Sequence, residues 1–150
     1  MSNATDALRE QLEEIVQGVG FSIVELHSSV VKGRTHVHLV VYRPEGVSID
    51  DCAEVHKTVR PRIELLLDDR DVALQVASPG IDRTIKDNSE YAVFVGRGVR
   101  LLKKGAESWL GGVIRAGSDR EVEIETAEGI ETIPYAEIQK AKLDYTQEVR

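Results

Sequence analysis

The sequence predicts an α+β protein made of two small consecutive domains, an α/β domain over residues 1–86 and an all-β domain over residues 87–150. The first domain is predicted because apolar residues at helical spacing alternate with strand-like runs. The second is predicted because five short β-type runs follow residue 88, separated by Gly and Asp turns. A chain of 150 residues can hold two such domains.

The first domain opens with a helix followed by a hairpin. The apolar stripe of the helix ends near Gly18 and Gly20, and its members are Leu8, Leu12, Ile15, Val16 and Val19. Residues 21–31 and 35–43 are predicted as antiparallel strands, with the turn at residues 32–34.

A second helix is predicted to start at Ser48, because Asp51 three residues later completes a capping-box pattern. Its apolar stripe runs through Cys52, Val55, Val59, Ile63 and Leu66. Pro61 falls inside this stripe, so we expect a kink or two abutting helices. A third strand starts at Val72. The order α-β-β-α-(α)-β is similar to that of a bacterial-type KH domain.

The second domain is predicted as a small five-stranded β-barrel, because its strands are short and its turns regular. The predicted strands cover residues 99–102, 109–114, 121–125, 131–135 and 138–143.

Composition limits the classes of function. The net charge is −7, of which −4 falls in residues 1–86 and −3 in residues 87–150. A basic protein partner, or RNA held by a local patch, is therefore favoured over general polyanion binding. No apolar run approaches the about 18 residues that span a bilayer. The single cysteine fits a reducing cytoplasm, where we expect the protein to be.

The segment from Leu74 to Arg83 begins as a strand and stops abruptly. Pro79 and Gly80 are predicted to occupy the central positions of a type II turn. Ile81 is expected to pack back on the core. Asp82 and Arg83 are expected to be exposed, because burying an unpaired charge is costly.

This corner, Ser78-Pro79-Gly80-Ile81-Asp82-Arg83, closely resembles a signature of the bacterial ribosome maturation factor RimP family. Supporting likenesses are found at residues 46–52, 94–96 and 138–143. The chain departs from the family pattern at Ala77, where Ser is usual, and at Thr84, where Pro is usual.

The resemblance implies a non-enzymatic factor that binds the free small ribosomal subunit and assists its assembly and maturation. It also implies contact with the ribosomal protein of the decoding centre (S-twelve) and with nearby rRNA. The second domain would be an SH3-like or Sm-like barrel. No cofactor, metal, membrane or small-molecule substrate is expected, and a monomer is expected.

The candidate partner-binding residues lie at the corner and in the only dense basic cluster of the sequence. They are Ser78, Pro79, Gly80, Asp82 and Arg83, and Arg97, Arg100, Lys103 and Lys104. A solvated basic edge that discourages strand aggregation is an equally good interpretation of the cluster.

Two other functions stay open at this point. A hydrolase would use Cys52 and His56, which are four residues apart on a helix, or the corner Asp82. An inert thiol on the apolar stripe is the favoured interpretation of Cys52.

A general RNA-binding module would act through the barrel, although the Gly-x-x-Gly loop of KH domains is missing. His27, His36 and His38 are interpreted as exposed strand residues rather than metal ligands.

Overall fold

The computed structural model describes residues 3–148. Its packing divides the chain into two compact units, Met1–Pro79 and Gly80–Arg150. The predicted boundary lay seven residues later, at 86/87. The difference arises because residues 83–85 hydrogen-bond to the second unit, where the Ile85 N–H donates to the Ala141 carbonyl at 2.9 Å.

The first unit is a three-stranded sheet with two helices. Its elements are α1 (Asn3–Gly18), β1 (Ser22–Val31), β2 (Arg34–Tyr42), α2 (Ile49–Leu67) and β3 (Ala73–Ala77). The sheet order is β1-β2-β3, with β1 antiparallel and β3 parallel to β2. Lys32 and Gly33 both adopt positive φ at the hairpin turn, which suits the right-handed twist of the flanking strands.

The second helix begins where the sequence predicts. The Asp51 N–H donates to the Ser48 hydroxyl at 3.0 Å, and the Ser48 N–H donates to the Asp51 carboxylate at 2.8 Å. Of the two outcomes expected at Pro61, a kink or two abutting helices, the second is wrong, because α2 is one helix from Ile49 to Leu67. Val59 and Ile63 are buried on either side of Pro61, so core packing holds both halves in one helix.

The core of the first unit lies between the helices and one face of the sheet. Residues from all five elements contribute to it, among them Leu12, Val16, Leu39, Val59 and Ile63. The third strand is confirmed, and the alternating residues Val72, Leu74 and Val76 all pack on this core. Three stripe residues lie outside it: Val19 and Leu66 are exposed, and Cys52 is half-buried.

The second unit is a five-stranded antiparallel sheet with short helical pieces. Its elements are α3 (Glu90–Val93), β4 (Gly98–Lys103), β5 (Leu110–Gly117), β6 (Glu121–Thr126), β7 (Gly129–Pro134) and β8 (Ile138–Leu143), with 3₁₀ helices at Tyr135–Glu137 and Tyr145–Glu148. All five predicted strands are confirmed. The predicted closed barrel is wrong: the order is β7-β6-β5-β4-β8, and within residues 3–148 the end strands β7 and β8 do not pair.

Several glycines let the backbone of the second unit approach its neighbours closely. A Cβ on Gly112 would lie 2.5 Å from the Glu125 carbonyl oxygen, and one on Gly98 would lie 2.2 Å from the Asp144 carbonyl oxygen. The second approach seats the last 3₁₀ helix against β4. In the described part of the chain, no helix has both the length and the apolar character needed to cross a membrane.

Candidate functional site

The corner after β3 contains a tight turn, but not the predicted one. The Arg83 N–H donates to the Gly80 carbonyl at 3.2 Å, so Ile81 and Asp82 occupy the central positions. Gly80 does not adopt the positive φ of a type II turn. The turn comes two residues later because Arg83 already pairs with β8, where its carbonyl accepts from the Leu143 N–H at 2.8 Å.

Arg83 points inward, which corrects the prediction that it is exposed. Its guanidinium makes two parallel bonds to the Glu90 carboxylate, Nε to Oε1 at 2.9 Å and the second nitrogen to Oε2 at 3.0 Å. Only 8% of the Arg83 side chain and 1% of the Glu90 side chain are exposed. A buried ion pair of this kind needs good geometry and further hydrogen bonds to offset desolvation.

Glu90 receives those further bonds from the backbone. The N–H groups of Lys86 and Asp87 donate to its Oε2 at 3.3 and 3.2 Å. The Arg83–Glu90 pair therefore ties the corner to α3. Glu90 was missed from the sequence because α3 has only four residues, too few for an apolar period to show.

With Arg83 inside, Asp82 is the exposed charge of the corner. It lines a shallow concavity of about 440 Å³ within the second unit, together with Ile81, Arg100, Leu143, Asp144 and Tyr145. Ile81 is 67% exposed, so the expectation that it packs on the core is wrong. Tyr145 is 55% exposed at the same concavity. The concavity thus combines apolar surface with two carboxylates and one guanidinium.

The second carboxylate of this concavity, Asp144, is held in its ionised form. A hydrogen bond from the Thr146 hydroxyl lowers its pKa, and the side chain of Gln147, the Thr146 N–H and the charge of Arg100 act in the same direction, against a smaller effect of burial. A carboxylate fixed in this way beside exposed apolar groups suits a partner's Lys or Arg side chain, whose apolar stem and charged end match the two kinds of surface. Asp144 and Tyr145 were missed because they follow the last predicted strand.

The predicted basic cluster does not form one patch. Arg97 donates to Glu148 at 2.9 Å, and Lys103 pairs with Glu131. Lys104 is exposed beyond the end of β4. Only Arg100 reaches the concavity, while Ser78 and Pro79 belong to the first unit.

Cys52 and His56 are both half-buried on α2. Cys52 was predicted on the buried stripe and is less buried than expected. Burial raises the pKa of its thiol, with a contribution in the same direction from Asp51, which disfavours the thiolate. In the range 3–148, no hydrogen bond joins the thiol to the imidazole.

The three strand histidines lie together on the sheet face opposite the core. His27 and His38 are directly opposite each other in the register, and His36 is next along β2. They line a shallow cavity of about 190 Å³ with Ser29 and Gln75. Among the described residues, no group of three or more His, Cys, Asp or Glu side chains is placed to hold a metal ion.

Two comparisons with known proteins agree with this architecture. Residues 11–82 match the model of the RimP N-terminal domain, which covers most of the first unit and reaches Asp82. A curated relative, the ribosome maturation factor RimP of Borrelia hermsii, is 25% identical over 132 residues, spanning 88% of this chain and 90% of the relative. The resemblance predicted from the corner is thereby confirmed: residues 11–82 match the RimP N-terminal domain, and the chain is similar over most of its length to a ribosome maturation factor RimP.

Proposed function

We propose that this chain is a ribosome maturation factor that binds the free small ribosomal subunit and assists its maturation without catalysis. The observation that carries the proposal is the corner itself. Asp82 projects from a turn whose next residue, Arg83, is locked to Glu90 in the interior of the second unit. The relative named for ribosome maturation supports the same role.

The chemistry of the concavity favours a basic protein partner. Asp82 and Asp144 present carboxylates beside the exposed side chains of Ile81 and Tyr145. Ribosomal proteins are rich in Lys and Arg, so we propose that this site contacts the ribosomal protein of the decoding centre, S-twelve. Nearby rRNA would complete the contact. Such a factor acts as a monomer in the cytoplasm.

The mechanism we propose is binding that favours one state of the particle. A factor that binds an immature small subunit more tightly than the mature one shifts the population towards the conformation it binds. Its release then follows from weaker binding once maturation is complete.

Co-sedimentation with separated ribosomal particles tests this function. Small subunits isolated from cells that lack the chain are mixed with the purified full chain and compared with mature small subunits and assembled ribosomes. The proposal expects the chain to accompany the immature subunits and to be depleted from the other two. Equal recovery in all three fractions would contradict it.

We further propose that the two units are separate domains, the first KH-like and the second SH3-like in its strand order. The α-β-β-α-β order and the five-strand antiparallel sheet support this assignment. Calorimetry of the full chain is expected to show two transitions. A single cooperative transition would contradict independent domains.

A hydrolase is the weaker candidate. The raised pKa of the Cys52 thiol opposes nucleophilic activation. If Cys52 were the nucleophile, Cys52→Ala would abolish activity. The proposal instead expects the particle binding of this variant to equal that of the parent chain.

A further inference from the structure

The outer face of β4 and β8 carries three adjacent cations. Arg100 on β4 lies directly opposite Lys142 on β8, and Lys140 is two residues earlier on the same strand. Val99, Leu101, Ala141 and Leu143 alternate with them and are buried. Arg100, Lys140 and Lys142 therefore share the face that points away from the core of the second unit.

Several other basic residues of the second unit have carboxylate partners, whereas the two lysines of this face have none in the described part of the chain. Arg97, Lys103 and Arg115 each form an ion pair with a glutamate. Within residues 3–148, no carboxylate is close enough to form an ion pair with Lys140 or Lys142. Lys104 and Arg120 also have no ion pair within the described residues, so the distinguishing feature of this face is that its three cations are adjacent, in a chain with a net charge of −7.

The arrangement costs folding stability. Like charges directly opposite each other on neighbouring strands repel, and Arg100 and Lys142 form such a pair. This face has three adjacent cations, and its two lysines have no carboxylate partner among the described residues. A polyanionic ligand bound here would relieve the repulsion between the cations.

An exposed aromatic ring completes this face. The guanidinium carbon of Arg100 lies 5.4 Å from the centre of the Trp109 ring, and Trp109 is 42% exposed just before β5. An indole ring with a guanidinium over it and further cations beside it is a combination with which proteins bind unpaired bases and their phosphates. An acidic protein surface would bind the cations but would have no base to stack on the indole ring and the guanidinium.

We propose that the outer face of β4 and β8 binds a single-stranded RNA segment. Lys140 and Lys142 contact successive phosphates, and the Arg100–Trp109 stack supports a base. This inference deepens the proposed function and rests on it, since it assigns the rRNA contact to these residues. The concavity at Asp82 would then contact protein and Lys140 and Lys142 would contact RNA, with Arg100 shared by the two surfaces.

The test uses the full chain and a short labelled oligouridylate, with affinity measured by fluorescence anisotropy over a range of salt concentrations. Lys140→Gln/Lys142→Gln is expected to weaken binding about tenfold at low salt. It should also reduce the salt slope by about 0.7 for each phosphate that the variant no longer neutralises. The matched control is Lys57→Gln/Arg62→Gln, which removes two exposed cations from α2 and should change neither quantity.

A second variant separates stacking from charge. Trp109→Leu is expected to weaken binding about tenfold with an unchanged salt slope, because stacking releases no counterions. An equal loss of affinity in the α2 control would overturn the proposal. So would binding of polyglutamate as tight as that of the oligouridylate, which would indicate a surface for acidic protein.

Co-sedimentation with immature small subunits distinguishes the RNA surface from the proposed function. If the chain binds the subunits but not the oligouridylate, the RNA surface is wrong and the proposed function stands. If it binds the oligouridylate with the expected slopes but not the subunits, the RNA surface stands and the proposed function is contradicted.

Discussion

At the scale of single residues, Arg83 has the largest structural role at the corner. Its side chain and that of Glu90 are almost completely buried, and each satisfies the other's charge. Removing one member of such a pair leaves a charge buried without its partner, which typically costs about 3–5 kcal/mol. The consequence is a corner whose shape depends on an interior ion pair.

We therefore expect Glu90→Gln to lower the free energy of unfolding by roughly 3 kcal/mol, measured by urea denaturation. Lys103→Gln is the matched control in the same unit, because its partner Glu131 is 40% exposed. That change should cost about 1 kcal/mol or less. Similar losses in the two variants would show that burying the Arg83–Glu90 pair adds nothing to its contribution to the free energy of unfolding.

A glycine in β5 gives a second test at this scale. A Cβ on Gly112 would lie 2.5 Å from both the Glu125 carbonyl oxygen and the Ile124 Cγ2. Gly112→Ala should therefore destabilise the chain by about 1–3 kcal/mol, since the sheet must move to admit the methyl group. Gly18→Ala is the control: nothing lies within 4 Å of its Cβ position, and no loss of thermal stability is expected. Equal melting temperatures for the two variants would refute the close approach.

At the scale of elements, an ion pair and a backbone hydrogen bond hold the last 3₁₀ helix against the start of β4. The Glu148 carboxylate accepts from the Arg97 side chain at 2.9 Å and from the Gly98 N–H at 2.8 Å. Burial raises the pKa of Glu148, but these two hydrogen bonds outweigh it, and the net effect is a lowered pKa. Asp144, at the start of the same segment, also has a lowered pKa.

A carboxylate with a lowered pKa in the folded state stabilises the fold in its ionised form. The contribution of Glu148 is complete above its ordinary pKa of 4.5 and is lost as the pH falls through the lower folded value. Unfolding free energies measured between neutral pH and pH values below 4.5 should thus decline less steeply in Glu148→Gln than in the parent chain. Parallel curves for the two proteins would contradict the role of Glu148.

Local patterns explain which elements were predictable. The capping box at Ser48 and Asp51 depends on residues three apart, and both of its hydrogen bonds are present. The pairs Arg97–Glu148 and Lys103–Glu131 join residues 51 and 28 positions apart, which spacing along one sequence does not reveal. The prediction of a barrel was wrong for the same reason, since closure depends on whether the distant strands β7 and β8 pair. Pro61 does not divide α2 into two helices, because core packing outweighs its local preference.

At the scale of the whole molecule, an acidic chain carries two surfaces of different chemistry on its second unit. The concavity at Asp82 offers carboxylates and apolar groups, and the outer face of β4 and β8 offers cations and an aromatic ring; Arg100 belongs to both. The resemblance to the RimP family identified the corner, and Asp82 was named from it. The inward turn of Arg83 and the contribution of Asp144 required the three-dimensional structure.

The most direct test of the central claim measures the affinity of immature small ribosomal subunits for the Asp82→Asn and Glu107→Gln variants. Both changes remove one exposed carboxylate of the second unit, but Glu107 lies outside the concavity. Asp82→Asn should lose at least about tenfold in affinity, because a hydrogen bond to a charged group contributes about 1.5–3 kcal/mol. Glu107→Gln should bind like the parent chain, and both variants should keep its unfolding free energy. Full binding by Asp82→Asn would contradict the account.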